Sequence, residues 1–273
     1  MRHPVLAGLA SSDVSERRAA CRDSVGDPSA VLLLASLCEA LGDTDRSVSR
    51  AASDALLELG ARFGETTEAL HDALTSDQPR RRWGAAHTLA RLGPPSPRLL
   101  PALVEAMDSP HGDVRWTASR ILVETGRLHD EVLTVVAQLA RAAESAAVRR
   151  MAIFALRELA PDQPAAASAL LDASHDAEPA VRRAAYTAMT ALLDPPDAVI
   201  ERLTETLATD SDTASRRIAA MALGEIGAGH GGRLPSPSLL ALREAASTRA
   251  DEHLSLAAGR ALAHLGGDGP SRT

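Results

Sequence analysis

VRRMAIFALRELA, Val148–Ala160, is followed 33 residues later by VRRAAYTAMTALL, Val181–Leu193. In both segments two arginines follow an apolar anchor, and apolar residues return four, seven, eight and eleven positions after it. That spacing is one face of an α-helix. Working outward, the pattern recurs from anchors at Val14, Val48, Arg81, Val114, Ser215 and Leu254, at intervals of 33 or 34 residues and a last one of 39. Twelve residues after six of the anchors stands a glycine: Gly26, Gly60, Gly93, Gly126, Gly227 and Gly266. Ala160 and Leu193, with Pro161 and Pro195 close behind, fill the other two places. Glycine adopts the left-handed conformation that ends many helices, so the recurrence reads as an in-phase helix stop. Between anchors lies a second apolar helix, such as RLLPALVEAM (98–107) or DEVLTVVAQLA (130–140). A two-helix unit cannot bury its apolar face alone, so the units must stack. The expected fold is all-α, a right-handed α-solenoid of about eight two-helix repeats over residues 1–266. Within it, 1–26 reads as a degenerate N-terminal cap, 227–238 as an inserted loop, and 267–273 as a flexible tail.

Composition narrows the chemistry. Of the 273 residues 45% are hydrophobic but only 2% aromatic, so alanine and leucine supply most of the core, which favours close-packed helices. All 29 basic residues are arginine. Lysine is absent, which removes phosphate-loop and Schiff-base chemistry. Cys21 and Cys38 are too few for a disulfide framework or a zinc site. No window is apolar for long enough to span a membrane, the start lacks a signal-peptide core, and a cytoplasmic setting is expected. The net charge of -7 disfavours a general nucleic-acid binder.

The VRR segments, each preceded by an acidic turn, resemble HEAT repeats, and are similar in subtype to the short HEAT-like repeats first associated with phycobilin lyases. The resemblance covers nearly the whole chain. It implies that the helix bearing the VR motif lines the concave side, and that the Arg after the anchor pairs with an Asp in a neighbouring turn. It does not select a function, because the fold serves scaffolds, adaptors, lyases and DNA glycosylases alike. On their own chemistry, Arg82, Arg115, Arg149, Arg182 and Arg216 occupy the position after the anchor in five consecutive units, with Asp43, Asp77, Asp108, Asp176 and Asp210 in the preceding turns. This reads as a structural Arg–Asp ladder. The alternative is an anion-binding stripe.

The remaining positions of the anchor helix, 2, 5, 6, 9 and 10, are expected to face open space. Trp83 and Trp116 stand at position 2, Tyr186 at position 5 and Phe154 at position 6, so four of the five aromatics fall on that face. Ile153 and Met221 extend the row. The anchor helices of the second to seventh units carry thirteen arginines against five acids, while the chain as a whole is acidic. Arg50, Arg120, Arg150, Arg183 and Arg217 lie among the aromatics, and His87 stands one turn from Trp83. Arginine beside aromatics suits an acidic protein or peptide segment. The expected function is a non-catalytic interaction or scaffold module, with no catalytic residue, cofactor or metal.

The alternative is a HEAT-fold enzyme acting on nucleic acid, in the manner of a DNA glycosylase, or on a small anionic substrate. Against it, Arg120 and His87 stand where a catalytic acid would follow Trp116 and Trp83. The His-Asp pairs at 71–72, 129–130 and 175–176 fall at unequal offsets from their anchors, which argues against a repeated metal site.

Overall fold

The computed structural model describes residues 3–266. Among them are sixteen α-helices in eight consecutive pairs, distributed over two compact units that divide between His129 and Asp130. The first unit contains α1 (Pro4–Leu9), α2 (Val14–Asp23), α3 (Ala30–Ala40), α4 (Arg46–Gly60), α5 (Glu65–Ala73), α6 (Pro79–Leu92), α7 (Leu100–Ala106) and α8 (Gly112–Leu128). The second contains α9 (Glu131–Ala142), α10 (Ala146–Leu159), α11 (Pro164–Ala173), α12 (Pro179–Met189), α13 (Asp197–Thr209), α14 (Thr213–Gly229), α15 (Ser236–Ser247) and α16 (Glu252–Leu265). Within the first unit α2, α4, α6 and α8 pack in series as one layer, and α1, α3 and α5 as the other. The second unit repeats the scheme, with α10, α12, α14 and α16 against α9, α11, α13 and α15. This two-layer stacking of helical pairs is the α-solenoid arrangement.

Helix starts follow local chemistry. Asp13, Asp45, Ser145, Asp212 and Asp251 accept hydrogen bonds from backbone N–H groups of the first turn. Pro79, Pro164 and Pro179 occupy first-turn positions, where a missing N–H costs nothing.

The recurring glycines act differently from expectation. None of them takes a left-handed conformation; among the described residues only Gly231 and Gly232 have positive φ, at 68° and 78°. Helices α8 and α14 run through Gly126 and Gly227. At Gly60 and Gly227 the glycine is a packing notch instead. A Cβ on Gly60 would lie 2.6 Å from a methyl of Leu92, the last residue of the next anchor helix, and one on Gly227 would collide with Leu265 in the same relation. The loop expected over 227–238 is shorter for this reason. Helix α14 reaches Gly229, α15 starts at Ser236, and Leu234 folds back onto Gly227. The expected tail, 267–273, lies outside the described residues.

The predicted apolar stripe is the core. In α4 all five of its positions are buried (Val48, Ala52, Ala55, Leu56, Leu59), and α12 and α14 repeat this. Position 5 joins it in every helix from α4 to α14 of this layer: Ser53, Ala86, Ser119, Ile153, Tyr186 and Ala220 are all buried. An anchor helix packs on its own partner and on the anchor helices before and after it. Its buried arc is therefore wider than that of a two-sided amphipathic helix.

Candidate functional site

The open face of each anchor helix is the row formed by positions 2, 6 and 10. In the first unit this row carries Arg50, Asp54 and Glu58 on α4, Trp83, His87 and Arg91 on α6, and Trp116, Arg120 and Glu124 on α8. Trp116 is 48% exposed, Arg120 is exposed, and Trp83 is half-buried. Trp83 stacks on His87 with ring centroids 5.4 Å apart and planes inclined by 29°. Burial of the His87 imidazole, helped by the nearby Arg91 charge, lowers its pKa from the ordinary histidine value. A cleft of about 650 Å³ opens above α6, flanked by α4 and α8.

In the second unit the row holds Arg150 and Phe154 on α10, Arg183 and Thr187 on α12, and Arg217 and Met221 on α14. Arg150, Phe154, Arg157 and Arg183 border a shallow hollow of about 380 Å³ between α10 and α12, with no carboxylate in its lining. Arg183 also reaches Asp212 at 2.8 Å, which occupies part of its guanidinium. Met221 is 53% exposed.

Two residues of the expected aromatic row are not there. Tyr186 is fully buried and Ile153 nearly so, because both stand at position 5. Tyr186 is a strut: its hydroxyl donates to the Ser174 carbonyl at 3.0 Å. Arg202 of α13 donates to the same carbonyl at 2.9 Å and to the Ser174 hydroxyl at 3.1 Å. The sequence carried no signal for Arg202, which lies on the other helical layer.

The arginine column has a repeated geometry. Each arginine stands four residues after its helix's N-cap, and four of the five donate Nη1 to the carbonyl six residues before them. The bonds are Arg82 to Ser76, Arg115 to Ser109, Arg149 to Ala143 and Arg182 to Asp176. The other edge of the guanidinium takes a carboxylate from the turn of the next pair. Arg149 grips Asp176 through two bonds of 2.6 and 3.0 Å, and Arg182 grips Asp210 at 3.2 and 3.1 Å. Arg82 chooses Glu105 of α7 rather than an aspartate. Arg216 donates to the Leu207 carbonyl at 2.8 Å, and the turn beyond α15 offers Ser247 and Thr248 where an acid would stand.

A further member was missed. Arg17 binds Asp43 at 2.7 and 3.0 Å and donates to the Ser11 carbonyl six residues back. Counting twelve back from Gly26 put the first anchor two residues early. Counting four on from the N-cap Asp13 finds Arg17 directly. Burial alone would raise the pKa values of Asp43, Asp176 and Asp210. The arginine and an N–H two residues on outweigh it, so each carboxyl is held below the ordinary aspartate value.

The two cysteines belong to neither site. Both are buried, and burial pushes the Cys21 thiol up to about 11 and the Cys38 thiol up to about 12. No helix among the described residues is long and apolar enough to cross a membrane.

A family model described as HEAT repeats matches residues 34–123 and 132–224, one block in each unit. Comparison with curated proteins returns no match. Among solved structures the chain is similar to YibA of E. coli, with a TM-score of 0.55 at 17% identity over 96% of this chain and 92% of that one. It is similar to Kap95p in a structure with RanGDP (TM-score 0.61) and in a complex with Nup1 (TM-score 0.58). In both the identity is 14%, and 96% of this chain covers 40% of the Kap95 chain. At these identities the likeness is one of fold. It does not bear on the phycobilin-lyase subtype.

Proposed function

This chain belongs to the HEAT-repeat family, and on that footing we propose that it is a non-catalytic protein-interaction module whose anchor helices receive an acidic segment of a partner protein. The observation that carries the reading is the hollow of the second unit. Three arginines (Arg150, Arg157 and Arg183) surround Phe154, and no carboxylate lines it. Guanidinium groups fork onto carboxylates and flank aromatic rings, so an acidic segment with an apolar anchor meets both demands there. Arg217 and Met221 on α14 lie on the same open row of that unit. In the first unit Trp116 and Arg120 offer a second contact of the same kind. Tyr186 takes no part, because its side chain is buried structure. Kap95p, whose fold this chain shares, is seen with the proteins RanGDP and Nup1, which supports a module that acts by binding protein. The arginine column is proposed to be structural, since its guanidinium groups are occupied by turn carbonyls and carboxylates.

The test is fluorescence anisotropy with three labelled probes of equal length: a peptide of alternating glutamate and leucine, its glutamine counterpart, and a single-stranded oligonucleotide. The acidic peptide should bind, weaken with added salt, and lose about tenfold in affinity in the Arg150→Glu, Arg157→Glu double variant. Equal binding of the glutamine peptide, or preference for the oligonucleotide, would overturn the proposal.

A further inference from the structure

The cleft over α6 differs from the hollow of the second unit in depth, shape and chemistry. Gly84, in the middle of α6, is the cause of its depth. A Cβ there would lie 2.8 Å from the Leu41 Cβ and 3.1 Å from the Leu41 carbonyl oxygen. The missing side chain lets α6 sit down on the end of α3, recessed between its neighbours. Across the recess, at the N-terminal ends of the helices, Arg46 of α4 joins Asp113 of α8 at 2.7 Å. This bridge passes over α6 and closes one end of the cleft. A compact ligand fits such a space better than a peptide that must run through it.

The floor is the Trp83–His87 stack. His87 is neutral near pH 7, because its burial and Arg91 disfavour the imidazolium. The floor is therefore an uncharged pair of stacked rings. The walls are not neutral. Four carboxylates and four arginines line the cleft, but the carboxylates are spent unequally. Asp43 is gripped by Arg17 and Glu105 by Arg82, and neither of those arginines lines the cleft. Asp54 answers Arg91, and Asp113 answers Arg46. Arg50 and Arg80 are left without a carboxylate. Arg80 donates to the Thr44 carbonyl at 3.3 Å, and Arg50 makes no hydrogen bond or ion pair with any described residue. Arg50 holds on α4 the same position that Trp83 holds on α6, so the free cation and the ring stack are neighbours across one helix interface.

We propose that this cleft is a binding site for a compact planar aromatic anion, a ring system carrying one phosphate or carboxylate. The ring extends the Trp83–His87 stack, and the anionic group takes Arg50 and Arg80. The volume of about 650 Å³ suits a ligand of that size. The proposal is independent of the peptide reading, which is carried by the hollow of the second unit and, in the first, uses Trp116 and Arg120, neither of which lines this cleft.

Isothermal titration calorimetry on the full chain tests it with four probes: adenosine 5′-monophosphate, indole-3-acetate, adenosine and inorganic phosphate. At least one of the two aromatic anions should bind saturably with one site per chain. Adenosine and phosphate alone should each bind about tenfold more weakly or worse, since each supplies half of the recognition. Arg50→Gln, at an exposed residue with no partner to lose, should cut the affinity about tenfold with the melting temperature unchanged. Trp83→Leu should also weaken binding, whereas Arg150→Gln should not. Three results would overturn the proposal: no saturation by either aromatic anion at millimolar concentration, phosphate binding as tightly as the nucleotide, or affinity untouched by Arg50→Gln.

Discussion

Arg182→Ala is the most direct test of the arginine column. Arg182 makes four hydrogen bonds, two to Asp210 at 3.2 and 3.1 Å and two to the carbonyls of Asp176 and Ala177 at 3.0 and 3.1 Å. The side chains of Arg182 and Asp210 are only 14% and 7% exposed. Truncation leaves the Asp210 carboxylate with the Asp212 N–H, at 2.8 Å, as its remaining bond. Removing one partner of a fully buried ion pair costs about 3–5 kcal/mol, because the other charge is left uncompensated. Here the pair touches solvent, and the vacated space admits water to the turn. A loss of about 2–3 kcal/mol follows, near the range for a stranded charge-assisted hydrogen bond. For a domain of this size that is a drop of roughly 5–10 °C in melting temperature. Because solenoids lose structure locally, amide exchange should place the lost protection in α12 and α14.

The pH dependence gives a second check. The Asp210 pKa is lowered in the folded state: burial opposes ionisation, but the hydrogen bond and charge of Arg182 together with the Asp212 N–H outweigh it. A depressed carboxyl contributes stability that is fully present above the unfolded value, near pH 4, and is lost as pH falls through the folded value. The gap in melting temperature between wild type and Arg182→Ala should therefore be full at pH 7 and shrink below about pH 4. Arg182→Lys keeps the charge but not the fork, and should recover only part of the loss. A variant that melts with wild type at pH 7 would refute the structural role and return the column to the open reading of an anion stripe.

Three other outcomes are expected. Tyr186→Phe should cost about 1 kcal/mol by denaturant titration, from the lost bond to the Ser174 carbonyl, with acidic-peptide binding unchanged; weakened binding would contradict its burial. The buried thiols of Cys21 and Cys38, with pKa values of about 11 and about 12, should resist a thiol reagent in native protein at pH 8 and react at once in denaturant. We propose that residues 1–26 act as a cap: deleting them removes Arg17 from Asp43 and uncovers the flanks of α3 and α4, so the truncated chain should aggregate on size-exclusion chromatography, and a monomeric helical product would refute the cap.

The repeat was legible because packing imposes it. Anchors every 33 or 34 residues set the helical pairs, and the stripe at positions 0, 4, 7, 8 and 11 lies in the core from α4 to α14 apart from partly exposed members such as Arg81. The misreadings share one cause, which is that a helical wheel knows only its own helix. Position 5 looked open because nothing on the helix itself opposes it, yet neighbouring elements of the stack cover it, as Thr88 meets Ser53 and as Ser174 and Arg202 meet Tyr186. Tyr186 and Ile153 were misplaced for that reason. Gly60 and Gly227 looked like helix stops because they sit near helix ends, yet their absent side chains make room for Leu92 and Leu265 of the following pair. Arg17 was lost because the glycine set the register, whereas the guanidinium is placed by the N-cap.

What neighbours constrain can be recovered once the stacking is known; what they leave alone carries the functional information. Positions 2 and 6 form the open row, half-buried at Trp83, His87, Phe154, Arg183 and Arg217 and exposed at the other seven, so packing constrains them less than the stripe. Alanine, which would cost nothing at these places, is absent from both in all six anchor helices from α4 to α14. They hold Arg50 and Asp54, Trp83 and His87, Trp116 and Arg120, Arg150 and Phe154, Arg183 and Thr187, Arg217 and Met221. Six of the twelve are arginine or tryptophan at position 2, where long side chains lose rotamer freedom only if something binds them. The change in partners along the row also differs between the units. Around α6 each carboxylate is matched by an arginine, two of them by arginines outside the cleft, while the hollow between α10 and α12 is lined by none. The two proposed sites differ in chemistry for that reason, since the two-helix repeat is shared and the open rows vary.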